Sequence, residues 1–421
     1  MRSNPDYDSV ATVLWVRARR LVPRASLWAL ADQGVVSLGT FLTSLLVART
    51  LPPAEYGVYI LIFGTVLFLN GVQVSLIGFP LAIKAAAADH EGLEEFTTAA
   101  LTLTTGLAVA LGGVVVVATL AVRRLETAPW ALAALLLWQW QDCLRRALMA
   151  HMRHRDAIWG DALSFLGQAV VLWTVSRVSS VSPEVAFASV AVTSGVAALL
   201  QGLQVGLRVP SLAVLRRCAQ EYWALGRWLT LTNFMNVLTI QAFPWTLAYF
   251  HGFEATAQLQ AASNVLGVTH PVIFSMSNLI VPAVARARAG HDARAALHSG
   301  LTYGLQSALL LVPYFVALLV WPGPILALFY GGDSPYVMLE AMLRLFVLVY
   351  CLRFVVFLMS AVLRGLQAGQ FVFFGQSAGA IAALIAGLPL ATLSPVAAAG
   401  GIAISALSEA ATTAYLLRRA L

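Results

Sequence analysis

Apolar stretches of about 20 residues recur along the chain and are separated by short polar segments. A helix needs roughly 20 mostly apolar residues to cross a bilayer, so each stretch is long enough for one transmembrane span. Their centres lie near Gly39, Thr65, Ala110, Leu137, Gly167, Thr193, Leu238, Gly267, Leu310, Val349, Ala380 and Ala403. The pattern predicts an all-α membrane protein with about twelve transmembrane helices.

The basic residues are concentrated on one side of these spans. If the N-terminus is cytoplasmic and twelve spans alternate, 20 of the 26 basic residues lie in cytoplasmic segments. Three more lie in outer loops, and the last three, Arg49, Arg344 and Arg353, lie within spans or at their edges. An excess of arginine and lysine marks the cytoplasmic side of membrane proteins. The distribution favours twelve spans with both termini in the cytoplasm.

Composition supports the membrane class and removes the need for a nucleic-acid partner. The chain of 421 residues is 60% hydrophobic and 11% charged, whereas soluble domains carry about 25% charged residues. Its mean hydropathy is +0.81. The net charge of +7 follows from the cytoplasmic arginines, so we expect the lipid bilayer and no nucleic acid as a partner.

No motif predicts a metal, a cofactor or a catalytic site. Cys143, Cys218 and Cys351 are far apart and are interpreted as small hydrophobic residues. The segment "HMRHRD" at 151–156 is interpreted as a solvated loop, and the chain has no Walker loop for ATP. We therefore expect a protein that is not an enzyme, with possible coupling to a proton or sodium gradient. The polar first 26 residues do not resemble a signal peptide.

The chain divides near its midpoint into two sets of six spans. We predict a cytoplasmic N-terminal segment at 1–26, an N-lobe at 27–207, an amphipathic cytoplasmic linker helix at 208–227 and a C-lobe at 228–421. A weak repeat supports the division, because "LVARTLPPAEYGVYIL" (46–61) and "LAYFHGFEATAQLQAA" (247–262) both turn from one helix into the next and carry a Glu. Two six-helix lobes around a central cavity are typical of alternating-access transporters.

Charged residues within the spans are the first candidates for a functional site, because they are costly in hydrocarbon and therefore face protein or water. Asp32 could line a cavity or act as an interfacial cap, and Arg49 could do so or reach the headgroups. Asp142 could pair with the arginines three and four residues later. The charged cavity candidates are Asp32, Arg49, Asp142, Arg145, Arg146, Arg344 and Arg353.

The two arginines of "MLRLFVLVYCLRFVVF" (342–357) have apolar residues on all sides. Their spacing places Arg344 and Arg353 on different faces and at different depths of one helix. The planar guanidinium stays charged and forms paired hydrogen bonds with phosphate. We interpret Arg353 as a candidate phosphate ligand; the alternative is a tie to a carbonyl or carboxylate of a neighbouring helix.

Uncharged polar residues are also frequent within the spans, where each one could join two helices. Together they could line a wet passage, and Trp138, Trp140, Trp159 and Trp173 could offer faces for sugar rings. Four of the polar residues are assigned to the cavity, namely Gln33, Gln73, Gln241 and Asn264, together with His270. A hypothetical ion-coupling site comprises Asn233, Asn236, Gln376 and Glu409.

The segment 31–80, which begins "ADQGVVSLGTFLTSLLVARTLPPAEYGVY", resembles the first two helices of the polysaccharide-biosynthesis flippases of the multidrug/oligosaccharidyl-lipid/polysaccharide exporter (MOP) superfamily. The resemblance rests on Asp32-Gln33, Ser37, Phe41, Ala48-Arg49 and Glu55-Tyr56-Gly57. Thr40 stands where that family usually has Asn before the phenylalanine. Beyond this segment the resemblance is limited to length, span number and the two halves.

The resemblance implies a flippase for undecaprenyl-pyrophosphate-linked oligosaccharide in the bacterial cytoplasmic membrane. Asp32 and Arg49 would then line or gate the cavity, and a polysaccharide polymerase with its chain-length machinery would be possible partners. Alternatives within the superfamily are a cation-coupled drug antiporter and a lipid II flippase. A membrane glycan polymerase or ligase, or a structural assembly partner, is the alternative from another class.

Overall fold

The computed structural model describes residues 24–289 and 293–420, and this part of the chain is helical with no strand. Twelve long segments each contain one of the predicted centres, so the prediction of about twelve helices is confirmed. The segments are α1 (Arg24–Thr50), α2 (Pro53–Ala86), α3 (His90–Ala121), α4 (Ala128–Ala150), α5 (His154–Val178), α6 (Pro183–Val205), α7 (Leu212–His251), α8 (Phe253–Gly267 and His270–Ala289), α9 (Ala293–Val320), α10 (Glu340–Gly365), α11 (Gly369–Ala391) and α12 (Pro395–Ala420).

Nine of these segments are long and apolar enough to cross a membrane by length and composition alone, within the described residues. The other three are α4, α7 and α8. Charged residues occupy the end of α4, the uncharged polar residues Asn233, Asn236 and Gln241 lie within the span of α7, and α8 is interrupted after Gly267. Polarity and a break therefore explain why these three fall outside the apolar set. The predicted N-terminal segment lies outside the described residues except for 24–26.

The two halves of the chain repeat the same local irregularities. The turn from α1 to α2 runs through Leu51 and Pro52, and the turn from α7 to α8 runs through Gly252 with φ +83°, a left-handed conformation that favours glycine. The fifth helix of each half contains one widened π-helical turn, at Ala162–Leu166 in α5 and at Ala383–Gly387 in α11. These matches agree with the two six-helix lobes, which we call the N-lobe (α1–α6) and the C-lobe (α7–α12).

The predicted linker helix at 208–227 is not a separate element. Ser211 caps the beginning of α7 by accepting a hydrogen bond from the Val214 backbone N–H at 3.3 Å, and the helix then continues to His251. The Pro244 carbonyl, inside this helix, accepts a hydrogen bond from the Thr256 hydroxyl of α8 at 2.9 Å. Linker and seventh span are thus one element, because nothing breaks the helix between Leu212 and Pro244.

Close helix contacts through small residues hold the N-lobe together. A Cβ atom on Gly39 of α1 would lie 2.5 Å from the Phe165 carbonyl carbon in the π-helical turn of α5. Only glycine permits this approach of α1 to α5, as is usual where membrane helices pack through small residues. The contact fixes the middle of α1 against the N-lobe.

Short connections make successive helices antiparallel, so every odd-numbered helix begins at the same end of the bundle. We call this end the basic end, because Lys84, Arg153, Arg217 and Arg418 lie there. The opposite end, where α1 meets α2, is called the distal end. The two names are used below without reference to a membrane side.

Candidate functional site

A cavity of about 460 Å³ lies between the lobes. Its walls come from α1, α2, α4, α5 and α6 of the N-lobe and from α7, α8 and α10 of the C-lobe. The volume is within the range of small-molecule sites, roughly 300–1,000 Å³. Among the described residues that line it, none is Asp, Glu, Lys or Arg, and His270 alone is titratable near neutral pH. The cavity is therefore nearly uncharged.

One wall of the cavity is a row of aromatic rings. Phe63 stacks on Trp138 with centroids 6.0 Å apart and planes 6° apart, and Tyr59 stacks on Phe63 at 5.3 Å and 14°. Phe187 packs behind them, tilted against both Tyr59 and Phe63. All three stacked residues line the cavity, so the row presents flat apolar surface to a ligand.

Amide side chains occupy the other cavity surfaces. Gln33 lines the cavity near the basic end and donates to the Ser37 hydroxyl at 3.2 Å. Gln241 of α7 also lines it, and its amide lies where a Cβ on Gly64 would be. His270 bonds the Tyr350 hydroxyl at 3.2 Å, and the two rings stack. The lining thus combines aromatic faces with neutral hydrogen-bonding groups.

The cavity is closed at the distal end by contacts between the lobes. Asn264 accepts from Gln260 and donates to the Tyr56 hydroxyl across the lobe interface at 2.8 Å. Gly57 of α2 lies directly against the Phe253 backbone of α8, where a Cβ on the glycine would be 1.9 Å from the carbonyl oxygen. Asn264, predicted as a cavity residue, therefore both lines the cavity and contributes to this distal closure.

Arg49 is a second component of the distal closure. A short helix, Pro322–Tyr330, lies between α9 and α10. The guanidinium of Arg49 donates to two carbonyls near the end of this helix, that of Leu328 at 2.6 Å and that of Phe329. A cation at the carbonyl end of a helix is favourable. Arg49 thus ties the end of α1 to the C-lobe, and the structure places it at the closure rather than on the cavity wall.

Replacing Arg49 by alanine is expected to weaken the distal closure. Hydrogen bonds to charged groups contribute about 1.5–3 kcal/mol each, so losing them should increase the distally open population roughly tenfold or more. Maleimide labelling of a cysteine placed at Ser263 in the cavity, from the distal side, would report the change. Equal labelling of the variant and the parent would contradict a closing role for Arg49.

The basic end of the cavity is not closed in the same way. The first segment of α8, Phe253–Gly267, packs against Pro53–Gln73 of α2, whereas the second segment, His270–Ala289, packs mainly against α9 and α10 of its own lobe. The interruption after Gly267 separates these two parts. Contacts of α1, α2 and α8 therefore close the distal end. At the basic end the lobes meet through the beginning of α7, where Glu221 pairs with Lys84 at 2.7 Å and Gly226 lies against the Leu76 backbone.

Several predicted cavity residues instead form a buried ion network inside the N-lobe. Arg145 of α4 donates to Asp32 of α1 at 2.8 Å and to Asp161 of α5. Asp32 is 1% exposed and Asp161 is fully buried, and Gln141 and Gln201 both donate to Asp161. This network lies behind the cavity wall and joins four helices. Sequence reasoning misses Asp161, although an acid in the apolar context "WGDALSFLGQ" is a signal that could have found it.

The remaining N-lobe candidates also lie away from the cavity. Arg146 pairs with Asp142 at 2.6 Å, one turn earlier on α4. Gln73 is fully buried and donates to the Thr104 hydroxyl and the Cys143 thiol. The predicted spacing of Asp142 to an arginine therefore holds for Arg146, and Gln73 joins helices α2, α3 and α4.

The two arginines of α10 have different surroundings. Arg344, near the distal end, donates to the Leu319 carbonyl at 3.2 Å and pairs with Glu340 at 3.5 Å. Arg353 is exposed and has neither a hydrogen bond nor an ion pair within residues 24–289 and 293–420. It is close enough to His270 and Glu409 for its charge to act on both. Arg353 thus lies one turn from the cavity-lining Tyr350, toward the basic end, and is not itself among the lining residues.

The hypothetical ion-coupling residues belong to two different interfaces. Asn233 of α7 packs against Gly71 of α2, whereas Glu409 of α12 packs against Gly379 of α11. Gln376 lies one turn from Gly379, and the side chain of Asn236 lies outside the described residues. In the described part of the chain, no group of three His, Cys, Asp or Glu residues could hold a metal ion.

Comparison with known proteins identifies the architecture. No protein-family model matches the chain, and no curated protein matches it. A multidrug resistance MATE family transporter of the MOP superfamily in an inward-facing conformation aligns with a TM-score of 0.74 at 15% identity, over 91% of this chain and 94% of that one. An outward-facing form aligns with a TM-score of 0.62 at 15% identity, over 94% of each chain.

A second kind of transporter has the same arrangement. The lipid II flippase MurJ in an inward closed conformation aligns with a TM-score of 0.72 at 11% identity, over 94% of this chain and 87% of that one. The better agreement with the inward-facing than with the outward-facing MATE transporter matches the distal closure described above. The chain is a multi-pass membrane protein with the fold of the MOP superfamily transporters, in which two six-helix lobes surround a central cavity.

Proposed function

We propose that this protein is a flippase that moves undecaprenyl-pyrophosphate-linked oligosaccharide from the cytoplasmic to the outer leaflet of the bacterial cytoplasmic membrane. The observation that carries the proposal is the cavity lining, which combines aromatic faces and amides with no carboxylate among the described residues. Such a lining suits a neutral, hydroxyl-rich ligand, because amides both donate and accept hydrogen bonds. The MurJ flippase, which has this fold, also carries a lipid-linked substrate by its name.

The nearest alternative is a cation-coupled drug antiporter, as the MATE neighbours are named multidrug transporters. Aromatic faces attract organic cations, so the row formed by Tyr59, Phe63 and Trp138 is compatible with that function. A desolvated cation would also need a counter-charge, and the described lining provides none. The proposal therefore favours the glycan over the drug. A polymerase or assembly role has no supporting observation in the cavity.

Arg353 is the residue that we assign to the pyrophosphate. It is exposed one turn from the cavity-lining Tyr350, and no described carboxylate forms an ion pair with it. A guanidinium without such a partner can offer both of its donor edges to phosphate oxygens. With the basic end cytoplasmic, Arg353 would lie on the side from which the carrier enters, and the described cavity would receive the glycan.

Replacing Arg353 by alanine is expected to lower flipping about ten- to hundredfold, because charge-assisted hydrogen bonds are worth roughly 1.5–3 kcal/mol. Arg353→Lys should retain part of the rate, since lysine keeps the charge and loses the paired geometry. Arg344→Ala is the matched control, because Arg344 already bonds Leu319 and Glu340 near the distal end. Equal loss in both alanine variants would contradict the assignment of Arg353 to the phosphate.

The decisive test is the location of the lipid-linked oligosaccharide in a strain that lacks the gene. Sealed vesicles of defined orientation would be treated with an impermeant glycosidase after labelling with a sugar precursor. Complete repeat units should accumulate on the cytoplasmic leaflet, and the wild-type gene should restore their delivery. Unpolymerised units on the outer leaflet would reject the flippase and favour a polymerase or its assembly partner.

Orientation, coupling and partners complete the proposal. The arginine distribution supports a cytoplasmic basic end with both termini inside, so the distal closure would lie on the outer side of the membrane. A proton or sodium gradient would drive the return, and Glu409, which packs against Gly379, is the acidic member of the proposed coupling site. A polysaccharide polymerase with its chain-length machinery would receive the product.

A further inference from the structure

Polar groups without intramolecular partners surround the aromatic row. Gln168 of α5 lines the cavity, is only 7% exposed and makes no hydrogen bond within the described part of the chain. The amide of Gln241, the indole N–H of Trp138 and the hydroxyl of Tyr59 also line the cavity without such a bond there. Buried polar groups nearly always have a partner, because an unpaired one costs free energy. Gln168 and Tyr59 are buried, and Trp138 and Gln241 are half-buried, so four unpaired groups around one surface indicate a site for a ligand that hydrogen-bonds.

The position of the Gln241 amide depends on the absence of a side chain at Gly64. Its amide nitrogen lies 1.9 Å from where a Cβ on Gly64 would be, next in sequence to Phe63. Gly64 thus leaves room for the amide from α7 to reach the edge of the row on α2. Gln168 lines the same cavity from α5. Amides from both lobes therefore flank the stacked rings.

We propose that the row formed by Phe63 and Trp138, flanked by Tyr59, Gln168 and Gln241, is a subsite for one neutral pyranose ring. The C–H groups on a sugar face would contact the electron-rich ring faces, and its equatorial hydroxyls would exchange hydrogen bonds with the amides. This subsite rests on the proposed function and specifies which part of the glycan is recognised. The sugar subsite is distinct from Arg353, which would bind the phosphate.

The subsite can be tested by equilibrium binding to the purified full chain in lipid nanodiscs. The probe is the soluble oligosaccharide released by mild acid from the carrier lipid that accumulates in the deletion strain. We expect wild type to bind it, Trp138→Ala to bind roughly tenfold more weakly and Trp138→Phe to retain most of the affinity. Trp173→Ala is the control, because Trp173 is 52% exposed and lies outside the cavity lining.

A second variant tests the amide without removing an aromatic ring. Gly64→Ala should displace Gln241 and weaken binding, whereas Gly106→Ala, with open space around it, should not. No binding by wild type, or equal affinity of Trp138→Ala and wild type, would overturn the subsite. If wild type binds tetraphenylphosphonium but not the sugar, and Trp138→Ala loses the tetraphenylphosphonium binding, the aromatic row would instead be assigned to an organic cation. The leaflet assay reports the proposed function independently, so flipping that persists in Trp138→Ala rejects only the subsite.

Discussion

Replacing Gly57 by alanine is expected to abolish most transport by preventing the lobes from meeting at the distal end. The added Cβ would lie 1.9 Å from the Phe253 carbonyl oxygen and 2.6 Å from its carbonyl carbon. Both atoms are backbone at the beginning of α8, so neither can move aside by a side-chain rotation. Overpacking costs roughly 1–3 kcal/mol, which corresponds to a shift of about 5- to 150-fold toward the distally open form.

The shift should be measured together with transport. A cysteine at Ser263, in a background without the three natural cysteines, would react faster with an impermeant maleimide applied from the distal side. Gly113→Ala in α3 is the control, because nothing lies within 4 Å of its added Cβ. Protein amount should stay unchanged, since separation of the lobes relieves the clash. Normal transport with unchanged labelling would show that the Gly57 contact is not needed for closure.

Replacing Arg145 by methionine is expected to unfold the N-lobe or prevent its accumulation. The guanidinium bonds both Asp32 and Asp161, and neither acid has another cation within hydrogen-bond distance among the described residues. Removing one member of a buried ion network typically costs about 3–5 kcal/mol, because uncompensated charge is left inside the protein. Arg145→Lys should retain only part of the lost stability, since an ammonium group lacks the forked guanidinium geometry that contacts two carboxylates.

Thermal unfolding in detergent, followed by size-exclusion chromatography, would measure the loss. Arg146→Met is the matched control, because Arg146 makes one ion pair with Asp142 and is 29% exposed. Arg146→Met should lower the free energy of unfolding by about 1 kcal/mol or less. Adding Asp161→Asn to Arg145→Met should restore part of the stability by removing one of the orphaned charges. A melting temperature of Arg145→Met equal to wild type would refute the structural role of the network.

The helices and their order could be predicted from the sequence because they depend on local hydrophobicity. Each apolar stretch centred near residues such as Gly39 and Ala403 became one helix, since backbone groups in lipid must bond within their own segment. The predicted linker at 208–227 is helical from Leu212 onward and continues without a break into the seventh span. A change in surface polarity does not end a helix, and α7 runs through that change and through Gly226, which lies against the Leu76 backbone of α2.

The partners of charged residues could not be predicted, because they depend on which helices meet. Asp32 could have lined the cavity or capped its helix, and only the position of α4 beside α1 gives it Arg145. Arg49 could have reached the headgroups, and only the short helix Pro322–Tyr330 gives it two carbonyls. Interhelical distances decide such pairs, and one sequence does not contain them.

The sequence by itself determined a basic, twelve-helix membrane protein in two halves, because hydrophobic length and arginine placement are local properties of the chain. The tertiary structure alone decided that the charges of Asp32, Asp142, Arg145, Arg146 and Asp161 pair with one another away from the cavity lining. It also decided that the cavity between the lobes is lined by rings and amides. The physical reason is the cost of burying charge. Acids and arginines from different helices neutralise each other when the helices pack, which leaves neutral groups to face the cavity.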